Sequence, residues 1–336
     1  MRNELIDDVI LSSRVRLARN FEDIPFPTMM NEIWAQESVR RTIDAVSQLP
    51  DARGYTLLRL NEMEKPAMQS LVEYHLISRD LLAHADVAAV LLSREKTVSI
   101  MVNEEDHLRI QAITPGAQVQ KAAVLARSVD DAMESRVRFA FDEQLGYLTA
   151  CPTNTGSGLR ASQMLHLPAL SALRKMGAVS QAVDKLGLTI RGLYGEGSEA
   201  FGNLYQVSNQ VTLGRTEEEL VATIRSVGRQ LADMEREARD KLRETERSAL
   251  EDRLLRSYGT LLYARRLSGK EFMQRWSDVR LASSLDMISV PAGVIDQLLY
   301  SAQDGGILTQ AGKTLEQEEI DERRAQMVRM ALGAQA

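Results

Sequence analysis

The chain reads as an α+β protein that becomes all-helical towards its C-terminus, and three observations carry that reading. Short β-like runs alternate with helical stretches up to about residue 215. Thr216 and Glu219 then form a capping-box start. Beyond it, Leu220, Ile224, Val227, Leu231, Met234 and Ala238 step by four and three along a narrow apolar seam. Such a seam wants a second helix. It suits either a helix lying on its own domain or a helix–helix contact that also builds a dimer.

The alternating part predicts strands over Val9–Ala18, Val87–Leu92, Thr97–Val102, Leu108–Thr114, Thr189–Leu193 and Gln206–Leu213. It predicts helices over Asn31–Gln48, Glu62–Arg79, Gln118–Phe139 and Gly158–Lys175. Residues 1–245 read as one domain and residues 246–336 as a smaller helical one. At 336 residues with 44% apolar side chains, a substantial core is assured. A formal charge of −6 is a poor basis for general nucleic-acid binding. The single cysteine, Cys151, excludes an intrachain disulfide and suits a reducing cytosol. Acids at Glu4, Asp7 and Asp8 interrupt the start where a signal peptide needs an apolar run, and no segment is apolar over a membrane's width. The expectation is a soluble, cytoplasmic protein.

Side chains alternate between the faces of a strand, so Val9, Leu11, Ser13, Val15 and Leu17 share one face of the first strand. Ile10, Ser12, Arg14, Arg16 and Ala18 share the other. Two guanidinium groups so close repel unless an anion lies between them. A solvated outer strand face is the plainer reading of alternation alone. Further arginines weigh against it. Arg109 follows the acidic tip of the hairpin Thr97–Thr114, and Arg160 ends the loop C-P-T-N-T-G-S-G-L-R. That loop, at the start of a predicted helix, is a candidate anion cradle. Arg191 precedes the glycine-rich run R-G-L-Y-G-E-G-S-E. No P-loop and no protein-kinase H-R-D or D-F-G set occurs.

Four segments together resemble the phosphagen (guanidino) kinase family: S-S-R-V-R-L-A-R at 12–19, V-N-E-E-D-H-L-R at 102–109, C-P-T-N-T-G-S-G-L-R-A-S at 151–162 and R-G-L-Y-G-E at 191–196. Within that family, R-L-A-R-N-F at 16–21, M-L-H-L-P at 164–168 and G-E-G-S-E-A at 195–200 are most similar to the bacterial protein arginine kinases. The late helical domain points the same way, since phosphagen kinases begin with theirs and use it to close over a small substrate. The resemblance implies an antiparallel sheet of about eight strands flanked by helices. It implies that Arg14, Arg16, Arg109, Arg160 and Arg191, with Ser12 beside them, bind the phosphates of ATP. Glu105 and Glu196 would be paired carboxylates on the substrate guanidinium, and Cys151 would lie next to it. Glu104 and Asp106 would touch Mg2+ only through its water shell, with no direct metal ligand.

The chemistry needs such residues. A guanidinium is cationic, with a pKa above about 12, and must lose a proton to become a nucleophile. One carboxylate can accept that proton while a second holds the other side of the planar fork. Arginine suits the phosphates because its fork matches their oxygens and its charge persists. The plainer readings are a solvated acidic tip at Glu104–Asp106 and a small buried hydrophobe at Cys151. His107 and His166 lack metal-like spacing and read as structural.

Protein arginine kinases carry an R-D-x-x-R-A motif that resembles a phosphoarginine docking site. Here the stretch is Ile320-Asp321-Glu322-Arg323-Arg324-Ala325, with Asp321 and Arg324 as candidate contacts and the leading arginine replaced. The resemblance further implies a homodimer and protein substrates with exposed arginines marked for degradation. It also implies an activator protein, a transcriptional repressor as substrate and a Clp-type AAA+ protease as partners. The rival readings are a phosphagen kinase acting on free arginine and a non-catalytic phosphoarginine-binding adaptor.

Overall fold

The computed structural model describes residues 7–49, 52–193 and 200–333. Its strands are β1 (Ile10–Arg19), β2 (Tyr55–Arg59), β3 (Ala89–Ser93), β4 (Val98–Val102), β5 (Leu108–Pro115), β6 (Phe141–Asp142), β7 (Gly146–Tyr147), β8 (Leu159–His166), β9 (Leu188–Gly192) and β10 (Leu204–Asn209). The α-helices are α1 (Glu32–Val46), α2 (Lys65–Glu73), α3 (Val119–Glu134), α4 (Pro168–Ala172), α5 (Met176–Asp184) and α6 (Glu217–Thr245). The C-terminal helices are α7 (Arg247–Tyr263), α8 (Gly269–Ser284), α9 (Ala292–Ser301), α10 (Asp304–Ala311) and α11 (Gln317–Ala331). The main sheet has eight strands in the order β2-β3-β4-β5-β1-β8-β10-β9, and β6 and β7 form a separate hairpin. The β2–β3, β3–β4, β4–β5 and β1–β5 pairs are all antiparallel.

Two compact units divide the chain. One is Ser12–Gln163 with Ser208–Ser226, and the other is Met1–Leu11, Met164–Val207 and Val227–Ala336. The helices after residue 246 share the second of these units with α4, α5 and β9.

In the unit beginning at Ser12, the sheet buries both faces, so its strands read as almost continuous apolar runs. β3 and β4 are buried nearly throughout. Leu60, Leu76, Ile77, Leu81, Val90, Leu92 and Met101 make one apolar cluster, with Met68, Leu71 and Val72 of α2 packed on it. Val15, Leu17, Ile110 and Ala112 are fully buried, as are Ala122, Ala126 and Met133 of α3. Burial of this kind stabilises by roughly 25 cal/mol per Å2 of apolar surface, so the sheet can tolerate unfavourable charge elsewhere.

In the second unit, Trp276 is fully buried among Met164, Leu204, Phe272, Leu298 and Leu299, and its Nε1 donates to the Ile295 carbonyl at 2.7 Å. Buried ions are satisfied here. Glu235 accepts from the Ala169 and Leu170 amides at the start of α4, both at 3.0 Å, and pairs with Arg239 at 2.9 Å. Arg280 pairs with Asp296 at 2.6 Å and donates to the carbonyls of Asp7 and Asp8. His166 hydrogen-bonds Ser277, which fits its structural reading. No helix among the described residues is long and apolar enough to cross a membrane.

Most predicted elements exist, with shifted ends. The Thr216–Glu219 capping box is present in both directions. The seam of α6 is buried at Leu220, Ile224, Val227, Leu231 and Ala238, while Met234 is exposed. The helix predicted over Glu62–Arg79 is only α2, opened by Pro66, and the one over Gln118–Phe139 ends at Glu134. The predicted strand Gln206–Leu213 ends at Asn209. β2 was missed. The larger error lies at Gly158–Lys175. Leu159–His166 is strand β8, inside the sheet between β1 and β10, and only Pro168–Ala172 is helical. L-R-A-S-Q-M-L-H is rich in helix formers, but burial on both faces selects the strand. The anion cradle at a helix N-terminus therefore does not exist at Gly158.

Gly158 has another task. The Ala18 amide donates to its carbonyl at 3.0 Å, and its φ of +65° lies in the left-handed region. A Cβ there would sit 2.7 Å from the Ala18 carbonyl oxygen and 2.6 Å from Arg19 Nη1. Arg19 cannot yield, because it donates to Ser157 and Ala18 carbonyls, pairs with Asp130 at 2.6 Å and lies 3.5 Å over the Tyr147 ring. Gly158→Ala is expected to destabilise the protein by about 1–3 kcal/mol in urea unfolding, whereas an unchanged midpoint would mean the loop relaxes freely.

A candidate active site of clustered arginines

The site in the Ser12–Gln163 unit starts from strand register. Ala18 faces Arg109 and Arg16 faces Gln111 across β1 and β5. Directly opposed residues of antiparallel strands share a face, so Arg14, Arg16, Ala18, Arg109 and Gln111 stand on one side of the sheet. Arg160 is the second residue of β8, the strand on the other flank of β1. The arginines thus come from three adjacent strands, and the opposite face of β1 holds buried Ser13, Val15 and Leu17.

The electrostatics of Arg16 record this crowding. Its guanidinium holds its proton well below the ordinary arginine value. Burial is the first cause, followed by the charges of Arg14, Arg109 and Arg160, with Glu104 opposing. Its Nε is buried without a hydrogen-bond partner. His75, held at a φ of +58°, is pushed down to about 3 by burial and then by Arg14 and Arg79, so it adds no charge at neutral pH. Its carbonyl accepts from Gln111 at 2.8 Å. Four cations gathered on neighbouring strands make a site suited to a polyanion.

The acidic tip divides its labour. Asn103, at a φ of +63°, turns the chain, and Asn103 and Glu104 amides bond to the His107 and Asp106 carbonyls. Glu104 is 1% exposed, pairs with Arg109 at 2.5 Å and accepts from the Ser78 hydroxyl. Asp106 is 3% exposed and accepts from Asn20 and the Ala150 amide, both at 2.7 Å. Neither belongs to a solvated tip, which corrects the plainer sequence reading. Glu105 alone projects, 43% exposed, with Oε2 3.7 Å from Arg109 Nη2. Partial burial, then the charge of Asp106, raises its pKa above 4.5, against the pull of Arg109.

Glu104 Oε2 and Asp106 Oδ2 are buried acceptors without partners, and a metal-bound water could use either. No group of three His, Cys, Asp or Glu side chains suited to hold a cation occurs among the described residues.

Cys151 lies in the loop between β7 and β8, half-buried, with Sγ 3.0 Å from Thr153 Oγ1. Thr149 donates to its carbonyl, and Thr212 donates to the carbonyls of Thr153 and Thr155, which pins the loop. Ser12 is half-buried on β1 opposite Pro115. Arg191 is exposed on β9 in the other unit, and Glu196 lies outside the described residues. His107 is structural as expected. It hydrogen-bonds the Phe21 amide and the Pro25 carbonyl, and burial pushes it down to about 4.

The proposed docking pair in the last helix needs correction. Arg324 is fully buried and donates to the carbonyls of Ala302 and Leu267 and to Asp321 and Asp304. Its guanidinium is spent on the fold. Ile320, at the departed motif position, packs with Ile307 and Leu315, so that position faces inward. Sequence reasoning missed Asn20, Ser78, His75 and Gln111. Each is a single polar residue, and its importance comes from partners distant in the chain.

The chain matches two family models: "ATP:guanido phosphotransferase, C-terminal catalytic domain" over residues 37–238, and "Protein-arginine kinase McsB C-terminal domain" over 247–336. It is 48% identical to a protein-arginine kinase of Moorella thermoacetica over 97% of this chain and 94% of that one. It is 44% identical to a protein-arginine kinase of Bacillus subtilis over 97% of this chain and 90% of that one. Among solved structures it resembles a lombricine kinase, with a TM-score of 0.59 and 27% identity over 69% of this chain and 67% of the other. A duplicated taurocyamine kinase of Schistosoma mansoni shares the fold, with a TM-score of 0.61 at 23% identity over 79% of this chain and 42% of the other.

The crowded arginines make a prediction about the ligand-free protein. Arg16→Gln should raise its melting temperature, because repulsion is relieved. The same change should weaken tripolyphosphate binding by on the order of 10²-fold, the usual size of a lost charge-assisted contact. A thermal-shift titration with tripolyphosphate reads both, and a destabilised variant with unchanged affinity would count against the site.

Proposed function

Because the chain belongs to the ATP:guanido phosphotransferase family, and within it to the protein-arginine kinases, we propose that it transfers the γ-phosphoryl group of ATP to the guanidinium of arginine side chains in proteins. The observation that carries this reading is the adjacency of acid and cations, with Glu105 projecting 3.7 Å from Arg109 beside the cluster of Arg14, Arg16 and Arg160.

The triphosphate of MgATP lies against Arg14, Arg16, Arg109 and Arg160, and the family pattern adds Ser12 and Arg191. Glu104, anchored by Ser78, aims the guanidinium of Arg109. The acceptor nitrogen attacks the γ-phosphorus, and the bond from that phosphorus to the bridging oxygen of ADP breaks. One proton leaves the guanidinium for Glu105, and the raised affinity of Glu105 for a proton favours that transfer. The balance is arginine and MgATP giving phosphoarginine, MgADP and a proton. Positioning and charge stabilisation do most of the work and can contribute about 7–11 kcal/mol. Glu196 takes the second carboxylate role on the family's pattern, and Cys151 flanks the acceptor.

On that same pattern the proposal extends to a cytoplasmic homodimer and to degradation of the marked proteins by a Clp-type AAA+ protease. It includes an activator protein as a partner and a transcriptional repressor as a substrate. The exposed Met234 in the α6 seam supports a contact beyond this chain.

Incubation of casein or free arginine with MgATP, followed by mass spectrometry under non-acidic conditions, tests the assignment. Phosphate on casein arginines is the expected result, and phosphate on free arginine alone would return the chain to the phosphagen kinases. Glu105→Gln should lower kcat by on the order of 10²-fold or more. The pH dependence has a definite sign. Glu105 must be ionised to act, and its pKa is raised, so kcat/KM should fall on the acid side at a pH above 4.5. Initial rates of ADP release across pH locate that limb.

A further inference from the structure

We infer that Asn20 is a positioning residue that ties the Glu105 turn to the Cys151 loop, and so sets the acceptor side of the site separately from the nucleotide side. The inference rests on the reading of Glu105 as the base and Cys151 as a neighbour of the acceptor guanidinium.

Asn20 follows the last residue of β1 and is fully buried. Its Oδ1 accepts from the His107 amide at 2.8 Å, and its Nδ2 donates to Asp106 Oδ1 at 2.7 Å and to the Leu148 carbonyl at 3.1 Å. Asp106 Oδ1 also accepts from the Ala150 amide at 2.7 Å. Both residues after Glu105 are therefore held by one side chain. The same side chain, directly at Leu148 and through Asp106 at Ala150, holds the backbone entering Cys151. Only an amide fits, since the position needs one acceptor and two donors on one planar group. An aspartate would set a second carboxylate against Asp106 and the Leu148 carbonyl, and an apolar residue would orphan several buried groups.

None of these contacts involves Arg14, Arg16, Arg109 or Arg160. Arg109 is aimed by Glu104 and Ser78 instead. Loosening Asn20 should thus displace base and cysteine while leaving the phosphate grip intact. Small displacements of catalytic groups are costly, on the order of 10²-fold per ångström.

The test uses the full chain with Asn20→Asp, Asp106→Asn and the exchange of both. Asn20→Asp should lower kcat for casein phosphorylation by on the order of 10²-fold, with MgATP affinity changed by less than about threefold. The exchange restores the Asn–Asp and His107 hydrogen bonds but leaves the Leu148 carbonyl without its donor and turns an amide nitrogen towards the Ala150 N–H, because Asp106 Oδ1 serves both Asn20 and Ala150, so it should recover only part of the lost rate. Cys151 is the sole cysteine, so its alkylation by iodoacetamide reports the loop without ambiguity, and its rate should change in Asn20→Asp. Loss of MgATP affinity in step with kcat would overturn the inference, as would a folded exchange variant as slow as the single one. Failure of both to fold would make Asn20 a residue of the fold alone. If the wild-type chain phosphorylates no arginine, the reading of the reaction fails, while the alkylation rates still decide whether Asn20 couples the two segments.

Discussion

The site depends on repulsion that the sheet does not allow to relax. Arg14, Arg16, Arg109 and Arg160 would move apart in a flexible segment. Backbone hydrogen bonds across three neighbouring strands hold their Cα atoms at fixed spacing whatever the side chains carry. The opposite face of β1 buries Val15 and Leu17, and that apolar burial offsets the strain. The result is concentrated positive charge fixed on the strands of a sheet, which is what electrostatic preorganisation requires.

Adjacent acids in one tight turn meet different fates. Glu104 is drawn inwards and gives its charge to Arg109, while Glu105 is left to project. The turn at Asn103 makes the difference, because it sends successive side chains in different directions. An inward acid that fixes a cation and an outward acid that can take a proton are then one residue apart. Asp106, again inward, connects this turn to the loop of Cys151. Asn20, Ser78 and Asp106 are thus tools of alignment, held by hydrogen bonds to residues distant in the chain.

The second unit uses arginine in the opposite way. Arg239, Arg280 and Arg324 are buried beside carboxylates and carbonyls, and their guanidinium groups are committed to internal hydrogen bonds. The cluster in the first unit includes Arg16, whose Nε has no partner. The difference between a structural and a ligand-binding arginine is thus not burial but whether the surroundings supply its anion. That criterion removes Arg324 from the docking site implied by its motif and keeps Arg16 in the phosphate site.

Local sequence determined the parts whose signal is periodic or directly chemical. The alternation of Arg14 and Arg16 with Val15 and Leu17, the capping box at Thr216 and the seam of α6 all depend on neighbours within a turn or two. The motif arginines, Glu105 and Cys151 were visible because their chemistry is unusual where they stand. Tertiary structure decided the rest. It made β8 a strand although its residues favour a helix, because both faces are covered. It buried Glu104 and Asp106, spent Arg324 on its own fold, and gave Asn20 partners around residues 106 and 148. Those outcomes follow from burial and from hydrogen bonds between segments that are mostly well separated in the chain, and no local pattern encodes such a pairing.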